Sequence, residues 1–530
     1  MSKLIFFFLV IPFLSFGQFH KIDSESITAL EEIIENQKTV EKIVGLSVGV
    51  IKDGEIVYLK GFGYQDLGNK IPSDEHTTYR MASVSKTITG LLAMILMNEG
   101  ELDLKTDIRN YVPEYPSKSP GIITTEDLLS HESGIIHYSG TNSGQFCSED
   151  FNLNAIVEYG NTFQDRYDPI SALNSFKDQK ICFSPGQHYQ YTTWGYCLLG
   201  AVLERAGKDH FENLLYRKLV LPFKLPYLQP EFQAFRPYPH ETLGYAFDTD
   251  GNIIPTPPEW IDSKDISYKI PGGGLISSVI DLTLIMKGIS NDEILSRENV
   301  DLYGKINVPL DGKTGDYGFG VYSSTRNGHR IFSHSGSQAN AATLIYFSPD
   351  RGNGVAIMAN TRGASLWSMA RQIFDHSFDL NVIDGEPFII PDRKIVKIVS
   401  ERSSESCDGI EVPGILKSGL YLEKLKDDSG RQFLGIINLT TECISEPLNI
   451  RSKPKILITP NPSYGKFRIN FQGRNSSGAF KIFNISGTIL DEGKFYNSTG
   501  IELRVEQEGT LIIQLEIGGT KSLVKVVNYN

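Results

Sequence analysis

Met81-Ala82-Ser83-Val84-Ser85-Lys86 opens the apolar run Thr87–Asn98, which ends at Gly100. Helical spacing followed by a glycine stop predicts a buried helix with an S-x-x-K tetrad at its start. Residues three apart share one helical face, so the Ser83 hydroxyl and the Lys86 amine are able to touch. A serine hydroxyl attacks poorly until a base takes its proton, and lysine serves as that base only where burial or a neighbouring cation lowers its pKa. The apolar helix offers the burial. The spacing alone is unselective, since Ser452…Lys455, Ser463…Lys466 and Ser522…Lys525 share it. All three lie in β-rich sequence near the C-terminus and the first holds Pro454, so only Ser83 has the helical setting.

A second serine competes. Gly45-Leu46-Ser47-Val48-Gly49 matches G-x-S-x-G, whose chemistry needs a sharp turn from strand into helix. Here Val48–Ile51 runs on into an Asp53-Gly54 hairpin, which predicts that Ser47 is an ordinary strand residue. Around these motifs, Ile27–Val40 reads as a helix, and Gly45–Ile51 with Glu55–Gly61 as the hairpin strands. Helical patterns dominate about 84–220, including Tyr196–Arg205 closed by Gly207. Strand-like alternation returns at Gly318–Tyr322, Ala342–Phe347 and Gly354–Met358, before an amphipathic helix over 364–378. That order predicts an α+β domain in which an antiparallel sheet carries a helical lobe.

The 530 residues predict several domains, and 51 Lys+Arg against 63 Asp+Glu leave a formal charge of −12. So acidic a chain offers no field for phosphate, which excludes nucleic acid as a partner. Residues 1–17 read as a signal peptide: Lys3, the apolar Leu4–Leu14, then Ser15-Phe16-Gly17. The run falls short of the roughly 20 residues that span a bilayer, so no transmembrane anchor is expected in the mature chain. Export would let pairs among Cys147, Cys182, Cys197, Cys407 and Cys443 oxidise. Five is odd, and with Cys407 and Cys443 downstream the unpaired thiol is expected among the first three. The remaining boundaries are expected at 24–380 for the domain holding Ser83, 381–452 for an unassigned β-rich bridge, and 453–530 for a small β-sandwich of short strands.

Further segments fall into a familiar order: Leu102-Asp103-Leu104, Leu128-Leu129-Ser130-His131-Glu132-Ser133-Gly134, Pro185-Gly186, Tyr191-Thr192-Thr193-Trp194-Gly195-Tyr196, Gly272-Gly273-Gly274, Tyr317-Gly318-Phe319-Gly320 and His334-Ser335-Gly336. With the Ser83 tetrad they resemble the beta-lactamase-related serine hydrolases, which include class C beta-lactamases, D,D-peptidases and esterases. Tyr111–Pro116 and Ser130–Tyr138 resemble most the mitochondrial-type serine beta-lactamase-like proteins. The resemblance covers about 25–378. It implies a beta-lactamase/transpeptidase-like fold and an acyl-enzyme on Ser83, with Lys86 as base and Tyr191 as proton relay. It further implies an oxyanion hole from the backbone N–H groups of Ser83 and Ser337, and a substrate-binding edge at Thr193, His334, Gly336 and Ser337. The substrate would be a small molecule or peptide, and no cofactor is implied.

Two departures bear on substrate. Thr193 stands where many relatives carry asparagine, exchanging an amide for a shorter hydroxyl. His334-Ser335-Gly336 stands where beta-lactamases carry Lys-Thr-Gly; the literal Lys313-Thr314-Gly315 precedes Tyr317-Gly318-Phe319-Gly320 and reads as a turn. A histidine titrating near pH 6.5 would weaken the field that holds a substrate carboxylate, predicting poor hydrolysis of carboxylate-bearing beta-lactams and improvement at pH 8 in His334→Lys. Metal chemistry is disfavoured, since His131-Glu132 begins H-E-x-x-H but Ile135 occupies the place of its second histidine. His131 and His137 are therefore expected to be structural, in a loop rimming the site. Residues 453–530, through Thr459-Pro460-Asn461-Pro462, Lys481-Ile482-Phe483-Asn484, Ser486-Gly487 and Lys521–Val527, resemble the C-terminal sorting domain of the type IX secretion system. That implies secretion or an outer-membrane surface location in a Gram-negative cell, with the secretion machinery as partner. The competing reading is a non-catalytic surface binding protein that retains the penicillin-recognising fold.

Overall fold

The computed structural model describes residues 20–118, 121–137, 167–232, 240–257 and 265–384, the single residues 238 and 388, and the backbone of nine strands between 419 and 528. The expected signal peptide, most of the bridge, and Cys147, Cys407 and Cys443 lie outside the described residues.

Helix α1 spans Ser24–Val40, with the Asp23 carboxylate accepting from the Ser26 N–H at its start. The hairpin strands β1 (Gly45–Lys52) and β2 (Glu55–Asp66) follow. Their turn holds Asp53 at φ 49° and Gly54 at φ 79°, the two left-handed conformations that a twisted two-residue hairpin demands. The short β3 (Ile71–Pro72), then β4 (Tyr322–Arg326), β5 (His329–Gln338), β6 (Ala341–Ser348) and β7 (Asn353–Ala359) complete an antiparallel sheet ordered β4-β5-β6-β7-β1-β2-β3. The two ends of the domain thus meet at its centre, where Ile357 pairs with Val48.

Both faces of the sheet are covered. Val48, Val50, Leu344 and Ile357 pack with Leu30 and Ile34 of α1 and with Met369 and Ile373 of α5 (Trp367–Ser377). Ile345, Phe347, Ala356 and Met358 face a helical lobe containing α2 (Ser85–Asn98), α3 (Thr193–Gly207) and α4 (Val279–Ser290). Double coverage buries β1, β6 and β7 on both faces, so β6 and β7 are continuous buried runs rather than the alternating strands expected, each buried aliphatic side chain contributing about 1.5–3 kcal/mol. This is the expected α+β arrangement.

Three local expectations need correction. Gly318–Tyr322 is no strand: the Gly318 N–H closes a turn onto Val321 O, the Phe319 N–H bonds Tyr303 O, and the strand begins at Tyr322. Helix α3 starts at Thr193, because the Thr192 hydroxyl caps it by accepting from the Gly195 N–H. It ends one residue beyond expectation, with Lys208 rather than Gly207 in the left-handed cap at φ 51°. Gly207 packs against Leu214, whose side chain would have to shift to admit a Cβ at 2.7 Å from its Cδ2.

Gly419–Lys426 and Gln432–Leu439 pair as a hairpin in the expected bridge. Farther on, Lys455–Asn461, Lys466–Gln472 and Gly500–Arg504 form one antiparallel sheet. Ser476–Asn484, Ile489–Ser498, Gly509–Ile517 and Thr520–Asn528 form another. Ile489–Ser498 and Gly500–Arg504 are strands although Asp491, Gly493, Asn497 and Gly500 carry turn-forming signals. Pro460 lies inside a strand, tolerated because that strand is at a sheet edge. Among the described residues no helix is long and apolar enough to cross a membrane.

Candidate active site

Ser83 sits in a 3-10 turn, Ala82–Val84, that leads directly into α2. It is partly exposed, whereas Met81, Ala82, Val84, Ser85 and Lys86 on either side are buried. Ala82 adopts φ 47°, a left-handed conformation that costs an alanine on the order of 1 kcal/mol and turns the next residue out of the core. Strand β5 passes close behind. A Cβ on Gly336 would stand 2.3 Å from Met81 O and 3.0 Å from both Ala82 Cβ and Ser83 N, so only glycine lets the strand reach the serine backbone. The Thr343 hydroxyl of β6, opposite Gly336, donates to Arg80 O at 3.1 Å and fastens the turn to the sheet.

Lys86 is fully buried under this turn. Its Nζ lies 3.3 Å from Ser83 Oγ, 3.2 Å from Thr193 Oγ1 and 2.5 Å from Gly272 O. The set suits a neutral amine, which has two N–H donors for Gly272 O and Thr193 Oγ1 and one lone pair for the Ser83 O–H. Burial holds the Lys86 pKa well below the usual lysine value; Cys197 opposes it in part, and the buried Lys269 adds a smaller push in the direction of burial. Tyr191, partly buried, presents its ring 4.7 Å from Lys86 Nζ.

The structure brings Ser83, Lys86, Tyr191, Thr193 and Gly336 together, with exposed Ser337 next along β5. It changes two assignments. Thr193, expected on the substrate edge, is buried with its hydroxyl on the Lys86 amine. His334, expected to titrate near pH 6.5 beside substrate, is 1% exposed. Its Nδ1 donates to Ser335 O at 2.8 Å, leaving Nε2 to accept from the Tyr317 hydroxyl at 2.9 Å. Burial, reinforced by Lys86, pushes its pKa down to about 3, so it is neutral throughout the physiological range. The physical reason is strand alternation: Phe332, His334 and Gly336 point toward the helical lobe.

Residues outside the expected site contribute as well. Gly272 supplies a carbonyl to Lys86, and Lys269 is a second buried lysine acting on it. Neither carried a signal beyond the Gly272-Gly273-Gly274 run. Tyr189, Tyr191, Tyr196 and Tyr317 enclose His131, their ring centroids 6.2, 4.3, 5.0 and 4.6 Å from its own. His131 thus lies inside the site rather than on its rim. Lys313-Thr314-Gly315 is irregular backbone just after a turn closed by Gly312 N–H on Pro309 O, held by Asp311 and Asp316. Cys182 is disulfide-bonded, and Cys197, buried on α3, is a free thiol. No group of three His, Cys, Asp or Glu suited to a metal occurs among the described residues.

Residues 30–376 match the family described as Beta-lactamase. Protein flp of Staphylococcus aureus is 24% identical over 346 residues, 64% of this chain and 64% of that protein. The mitochondrial serine beta-lactamase-like protein LACTB of Bos taurus is 27% identical over 318 residues, 49% of this chain and 55% of that one. The chain thus spans less than two thirds of the length of either relative. Among solved structures, an octameric penicillin-binding protein homologue from Pyrococcus abyssi superposes with TM-score 0.55 at 20% identity, over 95% of this chain and 96% of that one. EstCE1, a hydrolase with promiscuous acyltransferase activity, gives 0.55 at 19% identity over 67% of this chain and 99% of that one. The D-amino acid amidase of Ochrobactrum anthropi SV3 gives 0.54 at 17% identity, over 67% and 98% respectively. These likenesses show a beta-lactamase/transpeptidase-like fold.

Proposed function

Because the chain belongs to the beta-lactamase family, we propose that it is a serine hydrolase opening amide or ester bonds through an acyl-enzyme on Ser83. One observation carries this reading: a buried lysine, driven toward its neutral form, with its amine 3.3 Å from the hydroxyl of a partly exposed serine. In the reaction, Lys86 Nζ takes the Ser83 proton as Oγ bonds to the substrate carbonyl carbon. Backbone N–H groups of Ser83 and Ser337 stabilise the resulting oxyanion. The proton then passes by way of the Tyr191 hydroxyl to the leaving nitrogen or oxygen, the bond to that atom breaks, and acyl-Ser83 remains. Water repeats the sequence in reverse and frees the acid.

The preferred substrate carries no carboxylate on the leaving-group side of the scissile bond. A neutral His334, with both ring nitrogens engaged, gives no cation where a carboxylate-bearing beta-lactam would need one. The first probes are D-amino acid amides, which the name of one structural neighbour suggests, and small esters, which the same acyl-enzyme would open. Labelling with a fluorophosphonate followed by intact mass tests the reading. Wild type should gain one adduct and Ser83→Ala none; an unlabelled wild type would instead favour a binding protein that kept the fold.

Export belongs to the same proposal. Residues 1–17 would direct the chain out of the cytoplasm and 453–530 would hand it to a type IX secretion system. The disulfide at Cys182 supports an oxidising destination. Deleting 453–530 should trap the enzyme inside the cell, and undiminished secretion would refute that role.

A further inference from the structure

The turn that carries Tyr191 is gripped by two imidazoles. The Thr192 N–H donates to His131 Nδ1 at 3.2 Å, and the Thr193 N–H donates to His137 Nδ1 at 3.1 Å. These are the first two of the four N–H groups that the start of α3 leaves without helical partners, and the Thr192 hydroxyl takes a third, from Gly195. Two more bonds close the clasp: the Gln190 N–H donates to His131 O at 2.9 Å, and the Thr192 hydroxyl donates to Ile136 O at 2.8 Å. Inside it, the Tyr191 ring is flanked by His131 at 4.3 Å and, edge-on, by His137 at 5.8 Å.

A backbone N–H only donates, so each Nδ1 must present a lone pair. Both side chains are therefore neutral imidazoles in the Nε2–H form, because an imidazolium has no acceptor. Burial enforces the same state, with Lys86 adding to it: His137 is pushed down to about 3 and His131 well below its usual value. His131 also holds φ 62°, a left-handed backbone that persists only where its surroundings fix it.

We infer that His131 and His137 are positioning residues, which set the Tyr191–Thr193 turn against Lys86 by accepting two successive backbone N–H groups. Through that turn they place the Tyr191 ring over the amine and bring Thr193 Oγ1 to 3.2 Å from it. Neither histidine exchanges a proton with substrate. The inference rests on the Ser83 reading for its rate measurement and on the hydrogen bonds alone for its second test.

The rate of fluorophosphonate labelling at Ser83 is compared in His131→Asn, His131→Leu, His137→Asn and His137→Leu. Asparagine places an acceptor oxygen near the position of Nδ1, whereas leucine fills space without one. The leucine variants should label on the order of 10²-fold more slowly, and the asparagine variants should recover most of that loss. Leucine and asparagine acting alike at both positions, whether slow or fast, would overturn the inference. For variants that fail to fold, imidazole ¹⁵N spectra of the wild type at pH 7 decide: Nε2–H tautomers at both residues support the assignment, and an Nδ1–H or charged ring at either refutes it. An enzyme that takes no fluorophosphonate would sink the hydrolase reading while leaving the tautomer measurement to judge the clasp.

Discussion

Ser47 and Ser83 both sit in motifs that serine enzymes use, and the tertiary structure treats them oppositely. Ser47 is fully buried in β1, with its hydroxyl 2.6 Å from Asp74 O and 2.9 Å from the Tyr79 hydroxyl. Ser83 stands in a strained turn, partly exposed, with a depressed lysine beneath it. Two bonds to saturated partners make Ser47 a staple. A nucleophile needs an open approach and a lone pair waiting for its proton, and only Ser83 has both.

The strongest way to break that contrast is to remove the reactive side. Ser83→Ala should abolish labelling, with turnover falling at least about 10⁴-fold, and Lys86→Met should cost about 10²–10⁴-fold while the fold persists. Substantial turnover in either, measured with p-nitrophenyl esters, would assign the chemistry elsewhere.

His334→Lys is expected to lose about 3–5 kcal/mol of stability, read in denaturant melts, because it buries an ammonium beside Lys86 and removes the acceptor of the Tyr317 hydroxyl. It should not improve hydrolysis of carboxylate-bearing beta-lactams at pH 8, the reverse of what the sequence alone suggested.

Acid should destabilise the site before it disturbs Ser47. His131, His137 and His334 all have folded pKa values below the unfolded value near 6.5, so the unfolded chain binds more protons as pH falls. Their stabilisation is present above pH 6.5 and is lost below it, at up to about 1.4 kcal/mol per pH unit for each group, toward pH 3. Glu132, raised to about 7 by burial, acts in the opposite sense between 4.5 and 7, and Asp127, also raised by burial, adds to it above 3.8, two carboxyls against three imidazoles. Melts from pH 7 to 4 should therefore show a net fall, and a flat profile would contradict the neutral buried histidines.

The smallest effect belongs to Ser47→Ala. It should leave labelling unchanged and cost about 1–2 kcal/mol through the hydrogen bonds of Tyr79 and Asp74.

Much of this was readable in one dimension. The Ser83–Lys86 pairing needs only helical spacing, and the β1–β2 hairpin needs only Asp53-Gly54, since both are local geometry. Ser47 was dismissed correctly for an equally local reason, a strand that does not stop. His334 is illegible in the sequence because its residue type announces a titratable group, while burial and a hydrogen bond from Tyr317, 17 residues away, decide whether it titrates. His131 and His137 were set aside as rim residues because nothing in their spacing shows that helix α3 begins 56 or more residues later against their ring nitrogens.

By itself the sequence determined which serine has a lysine on its own helical face, how the hairpin turns, and that the domain is a sheet with a helical lobe. Short-range backbone geometry and hydrophobic spacing suffice for those. Only the tertiary structure decided that Lys86 is driven toward neutrality, that His334 is an uncharged prop, and that two histidines hold the Tyr191 turn. Those are properties of desolvation and of partners brought together from distant segments, and neither quantity exists until the chain has folded.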